Sequence, residues 1–435
     1  MKKIIFAFWL WMLGSTVMGQ QWSLLTQSPI ATWRHDDLFF VHPDTGYVVN
    51  VDGKIYKTVN GGSQWTTLLN RPATSFRCVG FVNAQHGWAG NLGLGSWSPT
   101  TDTVPIYETT DGGNTWHPEA LNGPVPAGIC GIAIASDSVV YAVGRVGGPG
   151  HILKTTDAGQ TWQSNVVPSP MFYLIDAHFF HPDTGVVSGT IGSLNQERFA
   201  IFSTVDGGLS WQTVYEDSSN HQGIAWKLSF PTRKIGYASI EGWPDMDTVP
   251  VMKTIDGGLS WQRMTFSTVH NWNQGIGFVD DSTGWCGATN GTVKKTTDGG
   301  QSWVNVPFVS NFNRMRRVND TLAYASGNRI WKYGPALTTE ISSSLPPSGL
   351  ELLPSSPNPF ASETQIRFRI PHNGEVVLSV YDWTGRPVKQ LANRFLEAGL
   401  HAFNLEIKAL QTAHFYVVLH FEGFVLTQKI LLLAP

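Results

Sequence analysis

Charge is scarce in this chain. Asp, Glu, Lys and Arg make up 14% of 435 residues and leave a net charge of −3 with no basic stripe, so nucleic acid is not an expected partner. Cysteine is scarcer: Cys78, Cys130 and Cys286 are too few for a disulfide framework, and buried apolar packing is the expected role of each. No C-x-x-C, H-E-x-x-H or histidine cluster occurs, so neither a metal nor a cofactor is expected. Long apolar runs are also lacking. Lys2-Lys3, the run Ile4 to Leu13 and the small residues ending at Gly19 are too short for a comfortable membrane span and read as a signal peptide over 1–19.

Glycine and tryptophan are plentiful, and they recur together. Six copies of one turn signature run along the chain: Lys57-Thr-Val-Asn-Gly-Gly-Ser-Gln-Trp65, Glu108 to Trp116, Lys154 to Trp162, Ser203 to Trp211, Lys253 to Trp261 and Lys295 to Trp303. Their tryptophans are spaced by 51, 46, 49, 50 and 42 residues, the length one four-stranded propeller blade consumes. Within each copy the acidic or amide residue (Asn60, Asp111, Asp157, Asp206, Asp256, Asp298) can accept backbone N–H bonds inside its own turn. The glycines supply positive φ, and Trp65, Trp116, Trp162, Trp211, Trp261 and Trp303 restart the strand with a ring to bury. These Asp residues are expected to be turn staples, not catalysts.

Between the turns lies a strand–turn–strand element, as in Asp37-Leu-Phe-Phe-Val, His42-Pro-Asp-Thr-Gly46 and Tyr47-Val-Val. It recurs near Gly80, Ile132, Ala177, Leu228, Ile276 and Arg317, making seven elements against six signatures. Gln21-Trp22-Ser-Leu-Leu25 resembles the strand after each signature and can complete the last blade beside Ile330-Trp-Lys-Tyr333, removing an exposed sheet edge. The expectation is an all-β chain with seven blades over 20–335. Cys78 and Cys130 enter adjacent blades at similar points, which leaves a bridge open beside simple burial.

The signature resembles the Asp-box, or BNR, repeat, Ser/Thr-x-Asp-x-Gly-x-x-Trp. That repeat occurs in sialidases, sortilin-type receptors, xyloglucanases and assembly factors, so it points to a fold more than to a function. With its Lys-Thr-Thr-Asp-Gly-Gly-x-x-Trp form, the whole array resembles the photosystem II stability and assembly factor-like family, which implies a protein-binding propeller without enzymatic activity. Sialidases add a Phe/Tyr-Arg-Ile-Pro segment, and the propeller lacks one; Arg369-Ile-Pro371 lies beyond it.

After Tyr333 the pattern breaks. A linker over 336–356, rich in Ser, Thr and Pro, is followed by a second β unit over 357–435. There Thr364 to Ile370, Val376 to Tyr381, His401 to Leu405 and Phe415 to Phe421 alternate at period two. A small Ig-like β-sandwich of about seven strands is expected. Pro357-Asn358-Pro359-Phe360, Val380-Tyr-Asp382, Gly385-Arg-Pro-Val388, Gly399, Tyr416-Val-Val and Gln428-Lys429-Ile-Leu-Leu resemble, in order, the type-A C-terminal sorting domain of the Bacteroidetes type IX secretion system. One departure is Ala413-His414, where that family places a glycine. The resemblance implies export across the outer membrane, with the type IX machinery and its C-terminal signal peptidase as partners. It also implies a propeller released, or tethered at the cell surface, after the domain is removed.

Function is expected where the blades vary. The repeated turns open on one end of the ring. The loops between second and third strands, and those between blades, open on the other, with insertions at Asn91 to Val104, Thr190 to Arg198 and Glu241 to Val249. Trp33, Trp97, Trp226, Trp243 and Trp272 all fall in such loops or entries, Trp226 being the one expected to plug the channel. Arg77, Tyr173 and Arg314 occupy comparable entries. Exposed aromatics and arginines converging there would suit an extracellular protein or glycan ligand, with Trp33, Arg77, Trp97, Tyr173, Trp243, Trp272 and Arg314 as the candidate surface. The competing reading is a glycoside hydrolase built on the loop acids Asp102, Glu241, Asp245 and Asp247.

Overall fold

In a computed structural model of the chain, the described residues are 20–433 except 95–99, 219–220, 244–245, 247, 269–271, 289–291, 307–310, 336–347, 383–386, 408–412 and 422–423. The segment 1–19, Trp97, Asp245, Asp247 and Gly385 therefore lie outside them. Strands are the one regular element among the described residues.

Seven sheets, antiparallel but for one short strand of blade 3, form the blades, each begun by one inner strand: His35–Phe40, Phe76–Phe81, Gly131–Ile134, Met171–His181, Gly223–Ser229, Asn273–Phe278 and Arg314–Asn319. These strands touch their neighbours in turn, and Arg314–Asn319 meets His35–Phe40 to close the ring. The N-terminal strand Gln20–Leu24 joins the outer edge of blade 7, with Trp22 opposite Tyr333 and Leu24 opposite Trp331. Trp22 packs edge-on to Trp285 at 5.4 Å and against Tyr333 at 5.2 Å, so the seam carries aromatic contact as well as a hydrogen-bonded ladder.

The repeated turn works as a staple. In blade 2 the Thr109 hydroxyl donates to Asp111 Oδ1 at 2.9 Å and accepts the Gly113 N–H at 2.8 Å. The other end of the turn is held by Thr115 N–H on Oδ1 at 2.9 Å and the Thr115 hydroxyl on Oδ2 at 2.7 Å. These Thr115 donors, backbone first, hold the exposed Asp111 carboxyl down at about 2. The Trp116 indole N–H closes on Gly113 O at 3.0 Å, a bond repeated by Trp65, Trp261 and Trp303.

A second repeated device locks blade to blade. On blades 1, 3, 5 and 7 a buried tyrosine (Tyr47, Tyr141, Tyr237, Tyr324) stacks flat on a phenylalanine of the next blade, at 3.5 to 3.8 Å between rings. Its hydroxyl donates to the first glycine carbonyl of that blade's turn: Gly112, Gly207, Gly299 and, across the seam, Gly61. Lys57, Lys154 and Lys253 reach the same carbonyls at 2.8 to 2.9 Å, which gives the signature's leading lysine a structural task.

Blade 3 departs from the repeat. Its sheet has a fifth strand, Leu121–Asn122, parallel to Trp162–Val166, because blade 2 ends in the two-residue strand His117–Pro118. Pro118 offers no N–H to a longer ladder, and the chain crosses to the neighbouring edge. Cys78, Cys130 and Cys286 are free and fully buried, so the alternative of a Cys78–Cys130 bridge does not hold. Cys78 and Cys130 pack instead in apolar clusters near the axis.

The C-terminal unit is a two-sheet sandwich. One sheet holds Glu351–Ser356, Glu363–Ile370 and Gly399–Glu406; the other holds Pro387–Leu396, Gly374–Asp382, Ala413–Phe421 and Phe424–Leu432. Their inner faces share one core, including Phe360, Phe368, Val380, Val417 and Ile430. Its first strand begins inside the stretch expected to be linker to residue 356. Pro354 is tolerated there because it falls at a register shift between Leu353 and Ser356 on an edge strand. Asn358 ties the segment Pro357-Asn-Pro359 to the end of the sandwich. Its side chain accepts from Leu431 N–H at 2.9 Å and donates to Lys429 O at 3.2 Å, pinning the last strand. Gly399 opens its strand at φ +133°, and Asp382 ends another.

Candidate functional site

The inner strands run from the variable-loop end towards the repeated turns, so their first residues ring one mouth of the channel. Three layers follow along the axis.

The outermost layer is a cleft of about 570 Å³ between blades 1 and 2, lined by Trp33, Arg34, Asp52, Lys54, Arg77 and Leu92 among others. Trp33 is 38% exposed, and the Arg34 guanidinium lies 4.3 Å from its ring centre. Arg34 and Arg77 share one oxygen of Asp36, so two buried cations at the floor of the cleft are tied to one carboxylate. Burial pulls the Arg34 guanidinium down to about 10 against the pull of Asp36. On blade 5, half-buried Trp243 meets Trp272 edge-on at 6.0 Å, and Trp272 is 41% exposed.

The second layer is a plug. Leu92, Cys130, Tyr173, Ile175, Ile224 and Trp226 pack across the axis, and Trp226 is fully buried, as expected of it. Tyr173 belongs to this plug at 2% exposure. The expectation of an exposed ligand-contacting ring at this position is therefore corrected: inner-strand side chains from opposite blades meet at the axis and bury one another.

The third layer is ionic. Arg314 grips Asp176 through two nitrogens at 2.7 and 2.9 Å and reaches Asp37 at 3.0 Å, so blade 7 is tied to blades 4 and 1. Arg316 adds a 3.1 Å contact to Asp37. Burial alone would raise the Asp176 carboxyl, but Arg314 and Lys227 overcome it and hold it well below the usual range. Arg314 is 2% exposed and Arg77 3%, so neither is the exposed arginine expected; both are committed to buried carboxylates. At the far mouth a second cleft of about 310 Å³ is lined by Phe39, Val41, Ile134, His178 and Arg316.

The loop acids divide. Asp102 is a loop clamp, held by the Thr74 hydroxyl, the Tyr107 hydroxyl at 2.6 Å and Val104 N–H at 2.9 Å. Glu241 is buried and accepts the Gln274 amide at 2.6 Å; burial pushes its carboxyl up to about 7. Sequence reasoning missed Arg34, Asp36, Asp37, Asp176 and Lys227. Their signal is a charge set inside an otherwise apolar inner strand, as in Ile175-Asp-Ala177 and Trp226-Lys-Leu228.

No family model matches the chain. Over 134 residues it is 28% identical to the photosystem II assembly lipoprotein Ycf48 of Synechococcus sp. (strain CC9902), a match covering 30% of this chain and 36% of that protein. It therefore spans about a third of that relative. Among solved structures, Ycf48 from Cyanidioschyzon merolae superposes with a TM-score of 0.54 at 17% identity, covering 72% of this chain and 99% of that one. Ycf48 bound to a D1 peptide gives 0.53 at 17%, with coverages of 72% and 94%. The GH74 enzyme of Niastella koreensis gives 0.53 at 12%, covering 92% of this chain and 73% of that one. The fold is an all-β propeller. Assembly factors and glycoside hydrolases both use it, so the propeller by itself assigns neither role.

Proposed function

We propose that this is a secreted, surface-delivered propeller that binds an extracellular protein or glycan through its variable-loop face. Export would run through a type IX secretion system that reads the C-terminal sandwich. The observation that carries the binding role is the cleft of about 570 Å³ between blades 1 and 2, with Trp33 at its rim and Arg34, Lys54 and Arg77 in its wall. A half-exposed indole beside fixed cations suits an extended ligand with polar groups along an apolar path. The Trp243–Trp272 pair extends the aromatic surface on the same end. A Ycf48 propeller bound to a D1 peptide supports a protein ligand. Loss of Tyr173, Arg77 and Arg314 from the exposed set leaves Trp33, Trp243 and Trp272 as the contact residues, with Arg77 held by Asp36 in the wall of the cleft.

Pull-down and glycan-array binding with the mature protein test this role. Trp33→Ala, or the pair Trp243→Ala and Trp272→Ala, is expected to abolish capture while leaving the fold intact. Mass spectrometry of the product released by the producing cell tests the export half, which requires the sandwich from about residue 351 onward to be missing. A second reading, a glycan-cleaving enzyme, rests on the GH74 likeness over 92% of the chain. Polysaccharide turnover abolished by Asp245→Asn would establish it in place of the first.

A further inference from the structure

The first strand of blade 5 places a lysine where the core gives it no partner. Gly223–Ser229 shifts register between Ala225 and Leu228, and the residues spanned by the shift are Trp226 and Lys227. Both reach across the axis. The Arg77 guanidinium of blade 2 lies 5.3 Å from the Trp226 ring centre, and the Lys227 ammonium stands in the field of Arg314, Asp176, Arg77 and Asp37 from four other strands. Lys227 is fully buried, and its Nζ has no hydrogen-bond partner among the described residues. Arg77 Nε and Trp226 Nε1 are likewise buried donors without an acceptor.

The carboxylates nearby are spent elsewhere. Asp176 holds Arg314 and the Leu228 N–H; Asp37 holds Arg314, Arg316 and the Leu38 and Val79 N–H groups. One oxygen of Asp36 is taken by Arg34 and Arg77, which leaves its Oδ2 and the neighbouring Asn313 Oδ1 as open acceptors against three open donors. Charge points the same way. Along the channel five basic groups, Arg34, Arg77, Lys227, Arg314 and Arg316, face four acidic ones, Asp36, Asp37, Asp176 and Glu241, and burial disfavours the charge of Lys227 and of Glu241 alike, moving each to about 7. A buried cation whose neighbouring carboxylates are bonded to other groups is unfavourable, and donors without acceptors add to that cost.

We propose that the channel is a binding site for one small monovalent anion of the halide class, held by Lys227 Nζ with Arg77 and Trp226 as its neighbouring donors. Leu92, Tyr173, Ile224 and Trp226 pack as a plug on the variable-loop side and Lys227 is fully buried, so the ion must be a small one. The anion completes the ionic layer that ties blades 1, 2, 4, 5 and 7 together, independently of any ligand at the outer cleft.

Crystals of the full chain grown in sodium bromide and measured at the bromine edge test the site directly. An anomalous peak within about 3.5 Å of Lys227 Nζ is expected. Ordered water there, in crystals whose surface bromides are resolved, overturns the proposal. In solution, chloride at about one hundred times its dissociation constant should raise the unfolding midpoint by about 5 °C over gluconate at equal ionic strength. Lys227→Met should lose that difference, and its retention would overturn the assignment. If Lys227→Met does not fold, Arg77→Gln and the bromide map of the unaltered chain keep the question decidable.

Discussion

Replacing Tyr324 by phenylalanine probes how the ring is closed. Its ring stacks on Phe40 at 3.6 Å, and its hydroxyl is shared between Gly61 O and Pro43 O, both at 3.1 Å and both on blade 1. The substitution keeps the stack and removes one donor from two buried carbonyls. The expected loss is about 1–2 kcal/mol of stability, the cost of a buried hydrogen bond whose acceptors are left short. Tyr141 makes the same contacts within the ring, to Gly207 O at 3.0 Å and Pro182 O at 2.7 Å. In a closed toroid every blade interface lies on one cycle, so Tyr324→Phe and Tyr141→Phe should cost the same within about 0.5 kcal/mol. Urea unfolding followed by tryptophan fluorescence measures both. A Tyr141→Phe chain that loses stability beside an unaffected Tyr324→Phe chain would refute closure through this contact.

Three further outcomes follow. Asp176→Asn, which leaves the Arg314 guanidinium with Asp37 alone, should cost about 3–5 kcal/mol in urea unfolding, and adding Arg314→Met should recover much of it. Burial pushes the Glu119 carboxyl up to about 7 despite N–H bonds from Trp88 at 2.9 Å and Trp162 at 3.2 Å. Its folded pKa exceeds the unfolded one, so its contribution is complete below about 4.5 and declines as pH rises towards 7. Glu119→Gln should flatten the melting temperature across that window. The Asp206 and Asp298 carboxyls are held at about 2 by the Ser210 and Ser302 side chains and N–H groups. Their stabilisation is present above the ordinary carboxyl range and lost as pH falls through about 2, so Asp298→Asn should narrow the acid-unfolding difference between pH 4 and pH 2.

How much was legible can be read from individual residues. The six turns were, because Thr, Asp, Gly and Trp at fixed offsets make their bonds within nine residues, and local chemistry repeats wherever its sequence repeats. The seam was legible for the same reason: Gln21-Trp22 looks like Gln64-Trp65. Trp226 was placed correctly because it abuts strand residues directly. Tyr173, Arg77 and Arg314 were not, because an entry position fixes distance along the strand and says nothing of what arrives from the opposite blade. The strand at Glu351–Ser356 was hidden by its own proline.

The one-dimensional pattern thus determined blade count, turn chemistry and the direction in which each blade runs. Partnership across the axis was decided by the closed ring, since Arg314 and Asp176 lie 138 residues apart and meet only when seven sheets share one centre. Charges read singly along the chain look like solvated exceptions in apolar strands. Enclosed together, they lose water and must pair with one another, and that desolvation is a property of the assembled channel.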